Sequence, residues 1–549
     1  MSDAEWSNRA ALLAGDPALA VRLGGLQPGP ELRRRPDGAW LWGRPGQAPR
    51  PIGWGPAEVA AARAALPAGA QEVLVMGPGD GALILALLAD GRTVWAWARD
   101  PRLLLPVLHT VGIADALRSR RLRLVAGVDL LAVPPMPSVV HPLFALPWAA
   151  ERRGWEAGGP GGAPAALIWA GGLFVDDIAD ALVGAGAFPW GVDPVPEELA
   201  RASAALGARA VYAVNHTVGL AEQAAALGLH LREWEIDPAM DPPRPPSAPI
   251  GSAAVFTWRA AAVPTWEAAR WPRVWHLPLA ANPERRRPIP QPGPPVAVGF
   301  VGNSMVAEAR RCLGLLHAEL DAFRGLVPAL TANAARALLR RALDRQLAAP
   351  SAWVLPDAVD EVLPGFRRFV RLRGHPWAVD ALLGEVAAAE KRRRVISGLA
   401  PIGVDVWGDA GWADLGAQAG VRHHGPVGHL RALTEVYNRV AINIDINRLY
   451  QPDIVTMRVF DVLACGGFVL AEHSAEIGSL FEVGREVVTW SGLPDLRAKI
   501  AHFRENPAEA AEIAAAGRAR VLRDHTIVAR LRAMEDADDG PRLFGQGAR

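Results

Sequence analysis

In the stretch QPDIVTMRVFDVLACGGFVLAEH, residues 451–473, two acids, Asp453 and Asp461, stand eight positions apart ahead of a glycine pair and an apolar run. Read as a helix over DIVTMRVFDVLACG that feeds the strand GFVLAE, it sets Asp461 inside the helix, facing a cleft. Gly466 and Gly467 then let the backbone turn tightly into the strand. A carboxylate so placed can accept hydrogen bonds from two ribose hydroxyls, as the acid of dinucleotide-binding folds does. Arg458 and nearby backbone N–H groups can offset the charge of a diphosphate. The plainer alternative is that Arg458 and Asp461, at i and i+3, form a surface pair on a helix.

Other polar residues cluster at strand ends. Asn443, Asn447, Arg448 and Gln451 crowd the approach to the same place, as cleft lining or as a turn. GFVGNSM sets Gly302, Asn303 and Ser304 at the carboxyl end of a strand, where backbone N–H groups can hold a phosphate or sugar, or simply make a tight turn. AVNHT puts Asn215 and His216 at another strand end. His216 there can serve as a general base or hold a donor phosphate, or it can merely cap the strand. Asp176 and Asp177 open a helix, where acids are stabilising without any function. His423 and His424 read as a turn, because no third ligand stands at metal spacing, and no metal site is expected. Near the N-terminus, VLVMGPGDGALILAL followed by WAWARD gives a strand, Gly-x-Gly-x-Gly, a helix and Asp100 at the end of the next strand. That resembles the S-adenosylmethionine pocket of methyltransferases. It lacks the Gly-x-Gly-x-x-Gly of a dinucleotide fingerprint, and no methyl-transfer motif follows, so an empty scaffold loop is the competing reading.

The elements that must position these residues alternate strand and helix, which predicts an α/β protein of three Rossmann-like units in series. The first spans 1–153. A Gly/Pro-rich joint at 154–164 precedes a second unit over 164–282. A Pro-rich linker, 283–296, leads to a third over 297–534, with a helical insert at 305–400 and a helical end. Two such units joined by a linker face each other across a cleft at the carboxyl ends of their strands.

At 549 residues the chain exceeds a single core, and half of it is apolar. A formal net charge of +1 gives no bulk attraction to nucleic acid or to an anionic membrane. Two cysteines exclude a disulfide scaffold and suit a reducing cytosol. The first residues carry no signal-peptide pattern, and runs such as GALILALLA fall short of the ~20 residues that span a bilayer. A cytoplasmic protein without a membrane span is expected.

The segments VGFVGNSM, VDVWGD, HGPV, VYNRVAINIDINRLYQPDIVTMRVFDVLACGGFVLAEHSAEIGSLFEVGREVVTW and RVLRDHTIVARL resemble the CgeB-like, spore-maturation-type glycosyltransferases of the GT-B fold. The likeness spans roughly 297–532. Upstream, GGLFVDDIADAL, YAVNHTVGLAEQ, EWEIDP, VFTWR and HLPLAANP follow the order of the partner domain of that family. The resemblance implies a GT-B pair behind an extra N-terminal Rossmann-like domain, and transfer of a sugar from a nucleotide-diphospho-sugar donor to an unidentified acceptor. Asp461 aligns with the ribose-binding acid. Asp453 aligns with the first acid of the Glu-x7-Glu pair of related retaining enzymes. Both are Asp here, and the Phe-Gly that often follows the first acid is absent, so retention against inversion stays open. Expected donor residues are Asp461, Arg458, Gly466, Gly467, Gly302, Asn303, Asn443 and Arg448, with His216 and Asp453 as catalytic groups and no cofactor required. Two other readings remain: a methyltransferase or bifunctional enzyme using the glycine loop, and a non-catalytic sugar-nucleotide binder.

Overall fold

The computed structural model describes residues 3–544 apart from 29–30, 44–48, 111, 146–147, 157, 170–173, 194–195, 238–249, 291–294, 351, 376 and 430. It falls into two compact units, Met1–Glu235 with Pro246–Val255 and Leu531–Arg549, and Ile236–Pro245 with Phe256–Arg530. The boundary runs through the strand Ala253–Thr257. Apart from a small antiparallel sheet near the N-terminus, the paired strands form parallel sheets connected through helices, so the protein is α/β as expected.

In the first unit, β1 (Glu72–Met76), β2 (Thr93–Ala98), β3 (Leu122–Ala126) and β4 (Ser138–Val140) make a parallel sheet in the order β3-β2-β1-β4. The glycine loop after β1 is filled by the chain itself. Trp54 donates from its indole nitrogen to the Gly77 carbonyl at 3.1 Å. Gly79 sits at φ +63°, and a Cβ added there would lie 2.2 Å from the Ile52 carbonyl oxygen. Asp100, the acid at the end of β2, accepts from the Arg102 guanidinium at 2.7 Å, and Arg102 in turn reaches Glu31. The space a cofactor would take is therefore packed with side chain and backbone, which disfavours the methyltransferase reading.

The same unit holds β5 (Ala165–Trp169), β6 (Phe188–Val192), β7 (Ala210–Val214) and β8 (His230–Glu235), parallel in the order β8-β7-β5-β6. Every residue of the four is buried, as strands covered on both faces require. Arg99, beyond β2, pairs with Glu151 at 2.9 Å and Asp193 at 2.7 Å, tying the two sheets together inside one unit. Arg232 on β8 is fully buried and forms two bonds to Asp538, at 2.8 and 3.0 Å. Tyr212 donates to Glu535 at 3.1 Å, so residues near the chain's end complete this sheet.

In the second unit, β9 (Val296–Val301), β10 (Val404–Trp407), β11 (Val421–His423), β12 (Val440–Ile444), β13 (Val469–Glu472) and β14 (Val488–Trp490) are parallel in the order β11-β10-β9-β12-β13-β14. Strand order reverses between β9 and β12, the place where open α/β sheets bind ligands at their carboxyl ends. Between β9 and β10 stand α1 (Val306–Arg324), α2 (Ala332–Ala348), two short helices and α3 (Val379–Leu399), which share one apolar core. After β11 and β12 come α4 (Arg431–Arg439) and α5 (Met457–Ala464), and after β14 comes α6 (Leu493–Glu505). The described part of the expected linker is docked on α4. Thr434 donates to the Arg285 carbonyl at 2.8 Å and Asn438 to the Arg287 carbonyl at 3.1 Å. Residues 291–294 of that linker lie outside the described residues.

Candidate functional site

Helix α5 begins at Met457, four residues later than the sequence pattern suggests. The apolar spacing of Ile454, Val455 and Val459 mimics a helical face, but Thr456 has extended backbone (φ −71°, ψ 157°), so Asp453 stands in the loop and not on the helix.

Arg458, in the first turn of α5, lies across the point where strand order reverses. It donates to the Val301 carbonyl at the end of β9 at 2.7 Å and pairs with Asp445, the residue after β12. Its guanidinium stacks 4.7 Å over the Phe300 ring. A Cβ at Gly302 would meet both the Phe300 ring and the Arg458 guanidinium at 2.8 Å. Arg392 of α3 comes in from the other side and donates to the Asn303 carbonyl at 2.7 Å. Its Nε is buried with no hydrogen-bond partner. Burial, then the nearby Arg458 and Arg448, lowers the Arg392 pKa to about 10. Arg448 donates to the Tyr450 hydroxyl at 3.0 Å, which itself donates to Glu385 at 2.6 Å. Arg458 and Arg392 thus lie by Asp445, a carboxylate that also accepts from Thr456 at 2.6 Å, while Arg448, close enough to Arg392 to lower its pKa, has Glu385 as a nearby counter-charge. A cluster of guanidinium groups at such a strand-end reversal suits an anion.

Asp461 lies one turn further along α5, 3% exposed. Its Oδ2 accepts from Arg286 Nε at 2.9 Å. Arg286 also donates to Thr434 at 3.2 Å and to the His429 carbonyl at 2.8 Å. Burial and then the Asp461 charge raise the Tyr437 hydroxyl pKa, and the same pair of causes pushes Cys465 up to about 12. The plainer alternative, a surface pair of Arg458 with Asp461, does not form: Arg458 pairs with Asp445, and Arg286 with Asp461.

Asp453 pairs with Arg259 at 2.8 Å. It lines a cavity of about 630 Å³ together with Arg448, Lys391, Asn447, Glu472 and Ser474. Asp461 is not part of that lining. Lys391 bonds Glu472 at 2.7 Å, and burial is the main cause that raises the Glu472 pKa.

Three expected donor residues lie elsewhere. Gly466 (φ +75°) ends α5, and Gly467 sits against Val462 and Asn443, both before β13 begins. At about 3.3 Å per residue these glycines stand roughly 16–20 Å of chain from the carboxyl end of β13. Asn443 is buried, with its amide donating to the carbonyls of Val440 and Phe468 at 3.1 and 3.2 Å. These positions give all three a structural task, capping a helix and joining β12 to β13. Asn303 is exposed after β9 and contributes its carbonyl to Arg392.

In the first unit His216 follows β7, with Nδ1 3.1 Å from Glu233 Oε2. His424 bonds Asp405 at 2.6 Å and stacks face to face on Trp407. Among the described residues no group of three or more His, Cys, Asp or Glu side chains is placed to hold a metal ion. Among them, too, no helix is long and apolar enough to cross a membrane.

Sequence reasoning passed over Arg286, Arg392, Asp445, Lys391 and Glu472. One signal was available for Lys391: it is one of two lysines in a chain otherwise using arginine. Asp445 is an acid closing the apolar run VAINI, a second legible sign.

The sequence model of the Glycosyl transferase-like family matches residues 385–536, which include Arg392, Asp445, Arg448, Asp453, Arg458 and Asp461. Comparison with curated proteins finds no match. Among solved structures, a glycosyltransferase from Rickettsia africae is similar at 9% identity and TM-score 0.38, over 87% of this chain and 100% of that one. Sucrose-phosphate synthase from Thermosynechococcus elongatus is similar at 11% identity and TM-score 0.35, over 85% and 98%. T4 phage BGT in complex with UDP-glucose is similar at 8% identity and TM-score 0.39, over 68% and 99%.

Proposed function

We propose that this protein is a GT-B glycosyltransferase that moves a sugar from a nucleotide-diphospho-sugar to an acceptor. The observation that carries this reading is the gathering of the Arg392, Arg448 and Arg458 guanidinium groups by the β9/β12 reversal, with Asp445 paired to Arg458. The diphosphate of the donor would lie there, and the same groups would neutralise the leaving diphosphate as the glycosidic bond breaks. No added divalent cation is required, because the arginines supply the counter-charge. Asp461 would take the ribose hydroxyls. Asp453, oriented by Arg259, would stabilise positive charge developing on the sugar, and His216, oriented by Glu233, would take the proton of the acceptor. Much of the rate would come from positioning.

A thermal-shift screen of nucleoside diphosphates and nucleotide sugars tests this, since a ligand at 100 times its Kd adds about 2.7 kcal/mol. Stabilisation by at least one nucleotide sugar, lost in Arg458→Gln, is expected. Indifference to all of them would refute the reading. Binding without donor hydrolysis or transfer to any acceptor would point to a sugar-nucleotide sensor.

A further inference from the structure

The cavity beside the ends of β12, β13 and β14 has a volume of about 630 Å³, within the range of small-molecule sites. Two of its lining residues, Asn447 and Ser474, are 3% and 2% exposed, and Asn447 Oδ1 and Ser474 Oγ are buried without a hydrogen-bond partner. A buried polar atom left without a partner costs stability, so such atoms mark where a ligand supplies one. The charges beside them are already compensated. Lys391 bonds Glu472 at 2.7 Å and the Asn447 carbonyl at 3.2 Å, the Asn447 N–H donates to Glu472 at 2.8 Å, and Asp453 pairs with Arg259. Arg448 also lines the wall, and it belongs to the guanidinium group at the β9/β12 reversal. The cavity therefore adjoins the anion site at one edge, carries Arg394, ion-paired with Glu390 at 3.3 Å, and His473 on exposed parts of its lining, and offers neutral donors and acceptors where Asn447 and Ser474 are buried.

We propose that this cavity holds the glycosyl group and selects an uncharged, hydroxyl-rich ring over one bearing a carboxylate or phosphate, with Ser474 and Asn447 bonding ring hydroxyls and the Lys391–Glu472 pair positioning Asn447. The proposal rests on the donor reading above. A carboxylate entering here meets Asp453 and Glu472 with their cations already engaged, whereas a hydroxyl can both donate and accept.

The test uses the full chain and two sets of probes. Saturation-transfer NMR follows methyl glucoside, galactoside, mannoside and N-acetylglucosaminide against glucuronate and galacturonate, while calorimetry follows UDP, GDP and ADP. At least one neutral glycoside should bind saturably, with the uronates at least tenfold weaker. Ser474→Val should weaken that glycoside tenfold or more. So should Ala475→Phe, an exposed position on the cavity wall that keeps the fold should the first variant lose it. Nucleoside diphosphate binding should be unchanged in both. Failure of every neutral glycoside, equal binding of a uronate, or variants that bind as wild type would overturn the proposal while a bound diphosphate leaves the donor reading standing. Glycoside binding without any diphosphate binding would support the cavity and sink the donor reading.

Discussion

Replacing Asp461 by Asn removes the carboxylate that pairs with the buried Arg286 guanidinium, which also donates to Thr434 and to the His429 carbonyl. Both side chains of the pair are under 10% exposed, so solvent screens little of the interaction. Breaking a buried pair from one side costs about 3–5 kcal/mol, because the remaining charge keeps its desolvation cost and loses its partner. For a unit larger than 250 residues, about 2 °C per kcal/mol is the appropriate scale, so the melting temperature of the second unit should fall by about 6–10 °C at constant scan rate. Removing both charges, Arg286→Met with Asp461→Leu, should recover most of that loss, because neither charge is then stranded. Differential scanning fluorimetry of the wild type, both singles and the double closes the cycle. Nucleotide-sugar stabilisation should be absent in the Asp461 single and in the double, since only the carboxylate is proposed to meet ribose. A single mutant within 1 °C of wild type would refute the buried-pair argument. Ligand stabilisation regained in the double would confine Asp461 to a structural role.

Gly79→Ala should destabilise the first unit by more than 1 kcal/mol through left-handed strain and its collision with Ile52, and should leave nucleotide-sugar binding intact; micromolar binding of S-adenosylmethionine to the wild type would contradict this. His525 is buried, bonded to the Leu480 carbonyl and to Arg530, and burial with the Arg530 charge lowers its pKa from 6.5 to about 4. The unfolded chain thus binds more protons between those values, so His525 contributes full stability above pH 6.5 and loses up to about 3 kcal/mol as pH falls to 4; melting curves of wild type and His525→Gln should converge on acidification, and parallel curves would refute it. Brief trypsin treatment should spare Arg285–Arg287, because that segment is hydrogen-bonded along α4, and an early cut there would show the docking to be loose.

Strands β9, β10, β12, β13 and β14 were legible because each is a short apolar run closed by turn residues, whereas β11 is Val-Arg-His, no apolar run, and its His423 read as a turn. The helix start was not, since Ile454 and Val455 extend the apolar spacing of α5 beyond its real first turn. Pairing was less legible still. Asp461 meets an arginine 175 residues away, and nothing local in RRR distinguishes Arg286 from its neighbours. The glycine loop shows the same limit: its backbone pattern is readable at 77–81, whereas Ile52 and Trp54, which fill it, come from a separate upstream segment. Asn443 looked like a cleft residue because it is polar near a strand end, yet β12 ends one residue later and its amide turns back into the sheet.

Residues near the end of the chain finish a sheet whose strands are made early. At about 5–20 residues per second, a ribosome that has just added Arg232 needs about 15–60 s to reach Asp538, 306 positions on. During that interval the second sheet carries a guanidinium with no carboxylate from its eventual partner, so the first unit can reach its full stability only after the second has been synthesised. The order of translation therefore does not match the order of completion, and a nascent chain stalled before residue 531 should leave Arg232 without Asp538 and Tyr212 without Glu535.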